Sequence, residues 1–114
     1  MPNHDSRIET TFSALSDPTR RAVVQMLGRG PAAVSQLAKS FDMALPSFTQ
    51  HLGVLEDAGL IASERQGRMR VCSLNLETLR IAEDWLSEHR RQAEERLDRL
   101  EAHLEQQRKE VPNE

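Results

Sequence analysis

The side chains best suited to hydrogen bonding with another molecule lie in one short stretch near the middle of the chain. Phe48, Leu52 and Leu55 recur at i, i+4 and i+7, which predicts a helix that buries one face. The opposite face carries hydroxyl, amide and imidazole groups but no carboxylate: Ser47, Thr49, Gln50 and His51. Such groups hydrogen-bond to base edges and phosphate oxygens. The pattern therefore predicts a DNA-contacting helix, called the reading helix below.

Two of these residues allow a second interpretation. His51 can pack at the rim between the reading helix and the rest of the domain without touching a base. Ser47 can serve only as a polar residue of the first turn, beside Pro46, whose fixed φ and missing N–H suit that turn. Pro46 and Ser47 stand at the helix start, where DNA contacts concentrate, and Thr49 and Gln50 oppose the buried face.

A second amphipathic pattern precedes the reading helix. Its apolar residues have helical spacing: Val34, Leu37, Ala38 and Phe41. Residues 42–44 form a polar turn, and Gly59 ends the reading helix. Helix, short turn and helix is the arrangement that holds a DNA-reading helix away from a domain body. Ser35 and Gln36, at the start of the preceding helix, are candidate phosphate contacts.

A β-hairpin is predicted directly after the reading helix. Ile61 to Arg65 and Met69 to Leu74 are expected to be its strands, with residues 66–68 as the turn. This hairpin, called the wing below, carries three arginines and one acid, Glu64, near its tip: Arg65, Arg68 and Arg70. A basic tip on a protruding hairpin is suited to phosphates or a minor groove.

The residues from Ala14 to Leu76 resemble the ArsR-type winged-helix regulators. The matching segments, in the family's order, are ALSDPTRRAVVQML, VSQLA, ALPSFTQHLGVLEDAGLI and QGRMRVCSL. The resemblance implies a mainly α winged helix-turn-helix with a small β-hairpin, in the order four helices, two strands and a long C-terminal dimerisation helix. It also implies a homodimeric transcriptional repressor. Ala44 departs from the family, which often has Ser or Thr there as helix cap and phosphate donor.

Many relatives sense metals, and the family's metal-binding motifs are missing from this sequence. The family's Cys-x-Cys pair corresponds to residues 34–37, which contain no thiol. The family's Asp-x-His motif is also absent, because Asp84 is followed by Trp85 and Leu86. The segment AEDWLSEHRRQAEERLDRLEAHL is similar to a metal-independent branch. His89 and His103 are fourteen residues apart, about 21 Å along a helix, so only an antiparallel partner brings them together. We predict no metal and no cofactor, with that intersubunit site left open.

The last third of the chain predicts one long helix with a seam of apolar residues. From Leu79 onward apolar residues step by three or four, and a helix of about 30 residues spans roughly 45 Å. The expected explanation is a second copy of the chain, and the alternative is a free helix supported by i, i+4 charge pairs. The predicted dimer interface comprises Ile8, Phe12, Trp85, Leu86, His89, Leu97, Leu100 and Leu104.

Length and charge are compatible with a single DNA-binding domain. We predict one domain over 1–114, with a reading core at about 14–75 and dimerisation helices at about 5–15 and 76–108. The net charge is −3, but residues 18–75 hold seven Lys/Arg and four acids, while residues 76–114 hold seven Lys/Arg and eleven acids. A DNA footprint depends on local charge. We predict a cytoplasmic protein without membrane contact, because the sequence has one cysteine, no signal peptide and no membrane-spanning run.

Catalysis has no support in the sequence, because it contains no Gly-rich phosphate loop, no Ser-centred elbow and no clustered His/Cys/Asp set. The prediction is a non-enzymatic, sequence-specific transcription regulator that binds a palindromic operator in double-stranded DNA through the reading helix and wing. The alternative is a winged helix that contacts only proteins, which favours apolar residues on the outward face of the reading helix. The inducer, the operator sequence and the regulated genes stay open.

Overall fold

The computed structural model describes residues 4–110, and it confirms a mainly helical winged helix-turn-helix. The elements in chain order are α1 (His4–Ala14), α2 (Pro18–Leu27), β1 (Ala32–Ala33), α3 (Val34–Ala38), α4 (Leu45–Asp57), β2 (Ile61–Gln66), β3 (Met69–Leu74) and α5 (Leu76–Glu110). Helix α4 is the predicted reading helix, and β2 with β3 is the predicted wing. The chain divides into two compact units, residues 1–82 and 83–114.

The start of α2 follows directly from its sequence. Asp17 has extended backbone angles, and its Oδ2 accepts a hydrogen bond from the backbone N–H of Arg20 at 3.1 Å. That hydrogen bond lowers the pKa of the Asp17 carboxyl. Pro18 occupies the first helical position, where no N–H is required. The Asp-Pro pair therefore marks the start of this helix.

The core of the first unit lies between the helices and the sheet. Its largest fully buried side chains are Phe48, Leu37, Leu55, Leu60, Val23 and Cys72. Phe41 stacks on Phe48 with ring centroids 5.1 Å apart. Phe41 lies outside α3, which ends at Ala38, so the predicted extension of that helix to Phe41 is wrong. Phe41 is partly buried because its ring packs on Phe48 after the helix has ended.

The sheet has three antiparallel strands in the order β1-β3-β2, one more than predicted. Strand β1 pairs Ala32 with Cys72 and Ala33 with Val71. The two alanines form a strand because β3 offers them a partner edge. The wing turn contains only residues 67 and 68, with Gly67 at φ 64°, the pattern of a two-residue hairpin turn with Gly at its first central position.

Helix α4 ends in a Schellman motif at Gly59. The N–H of Gly59 donates to the carbonyl of Glu56, and the N–H of Leu60 donates to that of Leu55, both at 2.9 Å. Gly59 has φ 75°, and a Cβ there meets the Thr78 hydroxyl oxygen at 3.3 Å. Thr78 donates to the Gly59 carbonyl at 2.7 Å, so α5 fixes the same turn. Glycine is therefore favoured here by its left-handed backbone, and a Cβ would also press on the Thr78 hydroxyl.

Replacing Gly59 by Ala is expected to lower the free energy of unfolding by about 1–2 kcal/mol, because a left-handed backbone penalises a Cβ. Urea denaturation followed by circular dichroism measures the change. Gly53→Ala is the control, because Gly53 lies inside α4 and a Cβ there meets no atom within 4 Å. That variant is expected to gain about 0.5–1 kcal/mol. Equal losses at both positions would contradict the Schellman explanation.

In the second unit, α5 carries charge pairs along its own surface. Arg91 contacts Glu88 at 2.6 Å and Glu95 at 2.5 Å, and Arg108 contacts Glu105 at 2.6 Å. The hydrogen bond from Arg91 lowers the pKa of Glu88 to about 2. Exposed pairs of this kind add little stability.

Helix α5 ends at Glu110 and α1 begins at His4, each within two residues of the predicted limits of 108 and 5.

Candidate nucleic-acid interface

Helix α4 buries one face and leaves its polar face open. Leu52 and Leu55 are buried beside Phe48, whereas Ser47 and Gln50 are exposed. The side chains that the sequence predicted as the reading face therefore lie on the surface of one rigid helix. Leu45 and Val54 are the large exposed apolar side chains among the residues of α4.

Helix α4 begins without a side-chain cap. Ala44 has extended backbone angles and accepts from the Phe48 N–H through its carbonyl, but it has no side-chain acceptor. Pro46 lies in the first turn as predicted and is exposed, as is Thr49. The Thr49 hydroxyl donates to the Pro46 carbonyl at 3.0 Å, so its oxygen lone pairs remain as acceptors. Thr49 is therefore suited to accept a hydrogen bond from a base amino group.

His51 lies at the rim between α4 and α2. Its Nδ1 is 3.2 Å from Nη1 of Arg20 and 3.7 Å from Oδ2 of Asp17. A guanidinium only donates, so this contact makes Nδ1 the acceptor and leaves the ring hydrogen on Nε2. The rim position matches the second interpretation of His51, and the Nε2–H is the group left for a phosphate oxygen.

Arg20 is a residue whose role the sequence did not indicate. Its Nε donates to the Ala14 carbonyl at 2.6 Å and its Nη2 to the Ser13 carbonyl at 3.4 Å, so it caps the C-terminus of α1. The same side chain contacts His51. Arg20 thus links α1, α2 and the reading helix. The sequence feature that could have indicated this role is the position of Arg20 in the first turn of α2, directly after Asp17-Pro18.

The two candidate phosphate contacts of α3 are both exposed. Ser35 and Gln36 lie in the first turn of this five-residue helix. The Gln36 side-chain oxygen accepts from the Ala33 N–H at 3.2 Å, so it caps its own helix. The Gln36 amide NH₂ and the Ser35 hydroxyl are the groups suited to an external acceptor.

The wing brings its three arginines together around one shallow depression. Arg65 and Arg70 are cross-strand partners, and Arg68 lies in the turn between their strands. With Ser63 and Glu64 they line a surface cavity of about 410 Å³. Among residues 4–110, Arg65 and Arg68 form no ion pair, whereas Arg70 contacts Glu56 at 3.2 Å. The depression has an excess of positive charge, which is suited to a phosphate.

The second unit exposes the leucines of the predicted seam. Leu86, Leu97, Leu100 and Leu104 are 52–57% exposed. Trp85 is half-buried and its ring stacks on His89 with centroids 3.9 Å apart, while His89 Nδ1 lies 3.0 Å from the Trp85 carbonyl oxygen. In α1, Ile8 is buried within the single chain and Phe12 is half-buried. An apolar row this exposed on one helix face is typical of a protein-protein contact.

Two features are absent from the residues that the structure describes. No group of three or more His, Cys, Asp or Glu side chains within residues 6–110 is arranged to hold a metal ion. No helix in the same range is long and apolar enough to cross a bilayer. Burial raises the pKa of the Cys72 thiol, which keeps that side chain protonated in the core.

The chain is similar to known transcription regulators. A family profile described as a helix-turn-helix domain matches residues 15–64. The transcriptional repressor SdpR of Bacillus subtilis is 33% identical over 79 residues, 69% of this chain and 88% of that protein. The HTH-type transcriptional regulator Rv2034 of Mycobacterium tuberculosis is 40% identical over 59% of this chain and 63% of its own length. A crystal structure of an ArsR family transcriptional regulator is 49% identical, covers 82% of this chain and 97% of its own, and has a TM-score of 0.76.

Proposed function

Given that the chain belongs to the ArsR family of transcriptional regulators, we propose that it is a homodimeric repressor that binds a palindromic operator. The reading helix of each copy enters a major groove, and each wing contacts flanking phosphates or a minor groove. Repression follows when the bound dimer occupies a promoter. We also propose that the protein is cytoplasmic, that it is not an enzyme and that it needs no metal or cofactor.

The polar face of α4 is the observation that carries this proposal. Ser47, Thr49 and Gln50 are exposed on a helix held by three buried apolar residues. Thr49 and Arg70 line one cavity between α4 and β3, so the reading face adjoins the wing. Base-edge hydrogen bonds from the helix and phosphate attraction from the wing therefore come from adjacent surfaces. A module that binds only proteins offers no explanation for this pairing of polar face and basic depression.

The exposed leucines of α5 support the dimer. Isolated charged helices are marginal in water, and most helical stability in proteins comes from packing an apolar face. A second copy supplies that packing for Leu97, Leu100 and Leu104. Two copies held at a fixed distance also match two half-sites one helical turn apart.

Selection of bound sequences from a random pool of double-stranded DNA tests the proposal. We expect enrichment of an inverted repeat whose half-sites are about 10–10.5 base pairs apart, or a multiple of that spacing. The same enrichment is expected with and without added divalent metals. A pool that stays random would overturn sequence-specific binding and favour the protein-interaction alternative, and a single half-site would overturn the palindrome.

Arg68 is expected to contribute attraction that does not depend on sequence. Changing Arg68 to Ala should weaken binding to all duplexes alike and reduce the slope of log K against log salt by roughly one. Titration over a salt series measures this slope. Arg29→Ala is the control, because Arg29 is exposed in the turn after α2, outside the wing and the reading helix. Loss of affinity for one sequence at constant slope would instead make Arg68 a base- or shape-reading residue.

A further inference from the structure

Three polar side chains from three elements of the first unit form one network between the reading helix and the wing. Arg70 on β3 places its Nη2 3.2 and 3.3 Å from the two Glu56 carboxylate oxygens at the end of α4. Its Nε donates to the Ser63 hydroxyl on β2 at 2.9 Å. The Ser63 hydroxyl in turn donates to the Glu56 carboxylate. Each side chain therefore contacts the other two.

Beside this network, α4 and β3 leave an opening at the surface, although both contribute to the buried core through Leu55 and Cys72. A cavity of about 310 Å³ lies between them, and its lining includes Gly53, Glu56, Arg70 and Cys72. Gly53 has no side chain to fill it, and Cys72 is fully buried at the strand. Close packing normally fixes how neighbouring elements are oriented. Here the polar network bridges the open side of an interface whose inner side is packed, so it adds a constraint at the surface edge of α4 and β3.

The network also makes Arg70 different from the other two wing arginines, because Arg70 is paired with an acid. Its guanidinium, although its side chain is 62% exposed, faces a carboxylate whose side chain is only 28% exposed. Arg65 and Arg68 face no such partner within residues 4–110. A phosphate contact by Arg70 has to compete with Glu56 for the same donors.

We infer that Glu56, Ser63 and Arg70 are positioning residues that set the orientation of the wing relative to the reading helix. This inference rests on the proposed function, and it changes the role expected for Arg70 from a phosphate contact to a support for the DNA contacts of Arg65 and Arg68. Simultaneous binding of the half-site by the reading helix and of the flank by the wing then depends on Glu56, although the charge of Glu56 repels DNA.

The direction in which Glu56→Gln changes DNA affinity distinguishes a phosphate-contact role of Arg70 from a positioning role. Changing Glu56 to Gln removes a negative charge near DNA and frees Arg70, so a phosphate-contact role predicts tighter binding. A positioning role predicts weaker binding, by about three- to tenfold, on a duplex selected by the unmodified protein. Arg70→Gln should cause a similar loss, and the salt slope should fall by the same amount in both variants, because each loses the phosphate contacts of Arg65 and Arg68. The double variant should bind no more weakly than the weaker single variant, because both changes break the same network.

Arg65→Gln is the matched control. Arg65 lies directly opposite Arg70 in the ladder and has no acid partner among the described residues, so its removal should reduce the salt slope by roughly one. Hydroxyl-radical footprints add a readout that a general loss of stability does not produce. Both Glu56→Gln and Arg70→Gln should lose backbone protection at the flanks and keep backbone protection at the half-site that the reading helix occupies.

Orientation can also be measured without DNA. Residual dipolar couplings of amides in α4 and in the wing should fit one common alignment in the unmodified protein and two different ones in Glu56→Gln. Ser63→Ala, which keeps both charges, should move the couplings in the same direction and serves if Glu56→Gln does not fold. Tighter binding by Glu56→Gln, a salt slope reduced in Arg70→Gln but unchanged in Glu56→Gln, or unchanged couplings would each overturn the inference. Failure of the unmodified protein to select any duplex overturns the proposed function alone, because the couplings still decide the positioning role.

Discussion

Two glutamates placed in the leucine seam of α5 are expected to separate the proposed dimer and weaken binding to a full operator by about 10²- to 10⁴-fold. The variant is Leu97→Glu with Leu104→Glu, seven residues apart on the exposed apolar row. Carboxylates at these positions have to be buried without a partner when two copies associate. Affinity for an isolated half-site should stay unchanged, because the reading helix is untouched.

Sedimentation gives the oligomeric state of this variant, and titration on full-site and half-site duplexes gives the two affinities. Gln92→Glu with Gln106→Glu is the control. It adds the same charge to exposed positions on the opposite face of the same helix. That control should remain dimeric and bind the full site normally. A seam variant that stays dimeric would place the interface elsewhere, with α1 and the Trp85 end of α5 as the next candidates.

Removing the Gln50 amide is expected to relax sequence preference at one operator position. Gln50→Ala should cost about 1–3 kcal/mol on the preferred duplex, because one bidentate base contact has that value. Competition against single-base variants of the selected duplex locates the affected position. Gln25→Ala removes the same group from an exposed position of α2 and should change nothing. An unaltered preference profile in Gln50→Ala would remove this residue from the base-reading set.

The elements that came directly from the sequence are those with a strong local signal. Asp17 and Pro18 start α2 through a cap and a fixed φ, and Gly59 ends α4 through a left-handed residue. The wing strands were also predicted, because Gly67 separates two runs of strand-forming residues. Each of these signals acts within a few residues, so local rules were sufficient.

The features that were missed depend on distant partners. Strand β1 contains only Ala32 and Ala33, which carry no alternating pattern, and it forms because it pairs with β3. Arg70 and Glu56 are fourteen residues apart, and only the turn after α4 and the hairpin bring their charges together. Arg20 and His51, which also contact each other, are thirty-one residues apart. The sequence identifies such groups as polar, but the fold decides whether they face DNA or each other.

The small strand β1 has a consequence for the order in which the chain folds. Its pairing with β3 joins Ala32 to Cys72, and α3, α4 and β2 all lie within the segment that this pairing closes. The wing hairpin closes through a two-residue turn, whereas the β1–β3 ladder closes a loop of forty residues. Loop-closure entropy grows by about 0.6 kcal/mol for each doubling of loop length. Closing the hairpin therefore costs less entropy than closing the β1–β3 ladder, and we expect the hairpin to form before β1 pairs with β3.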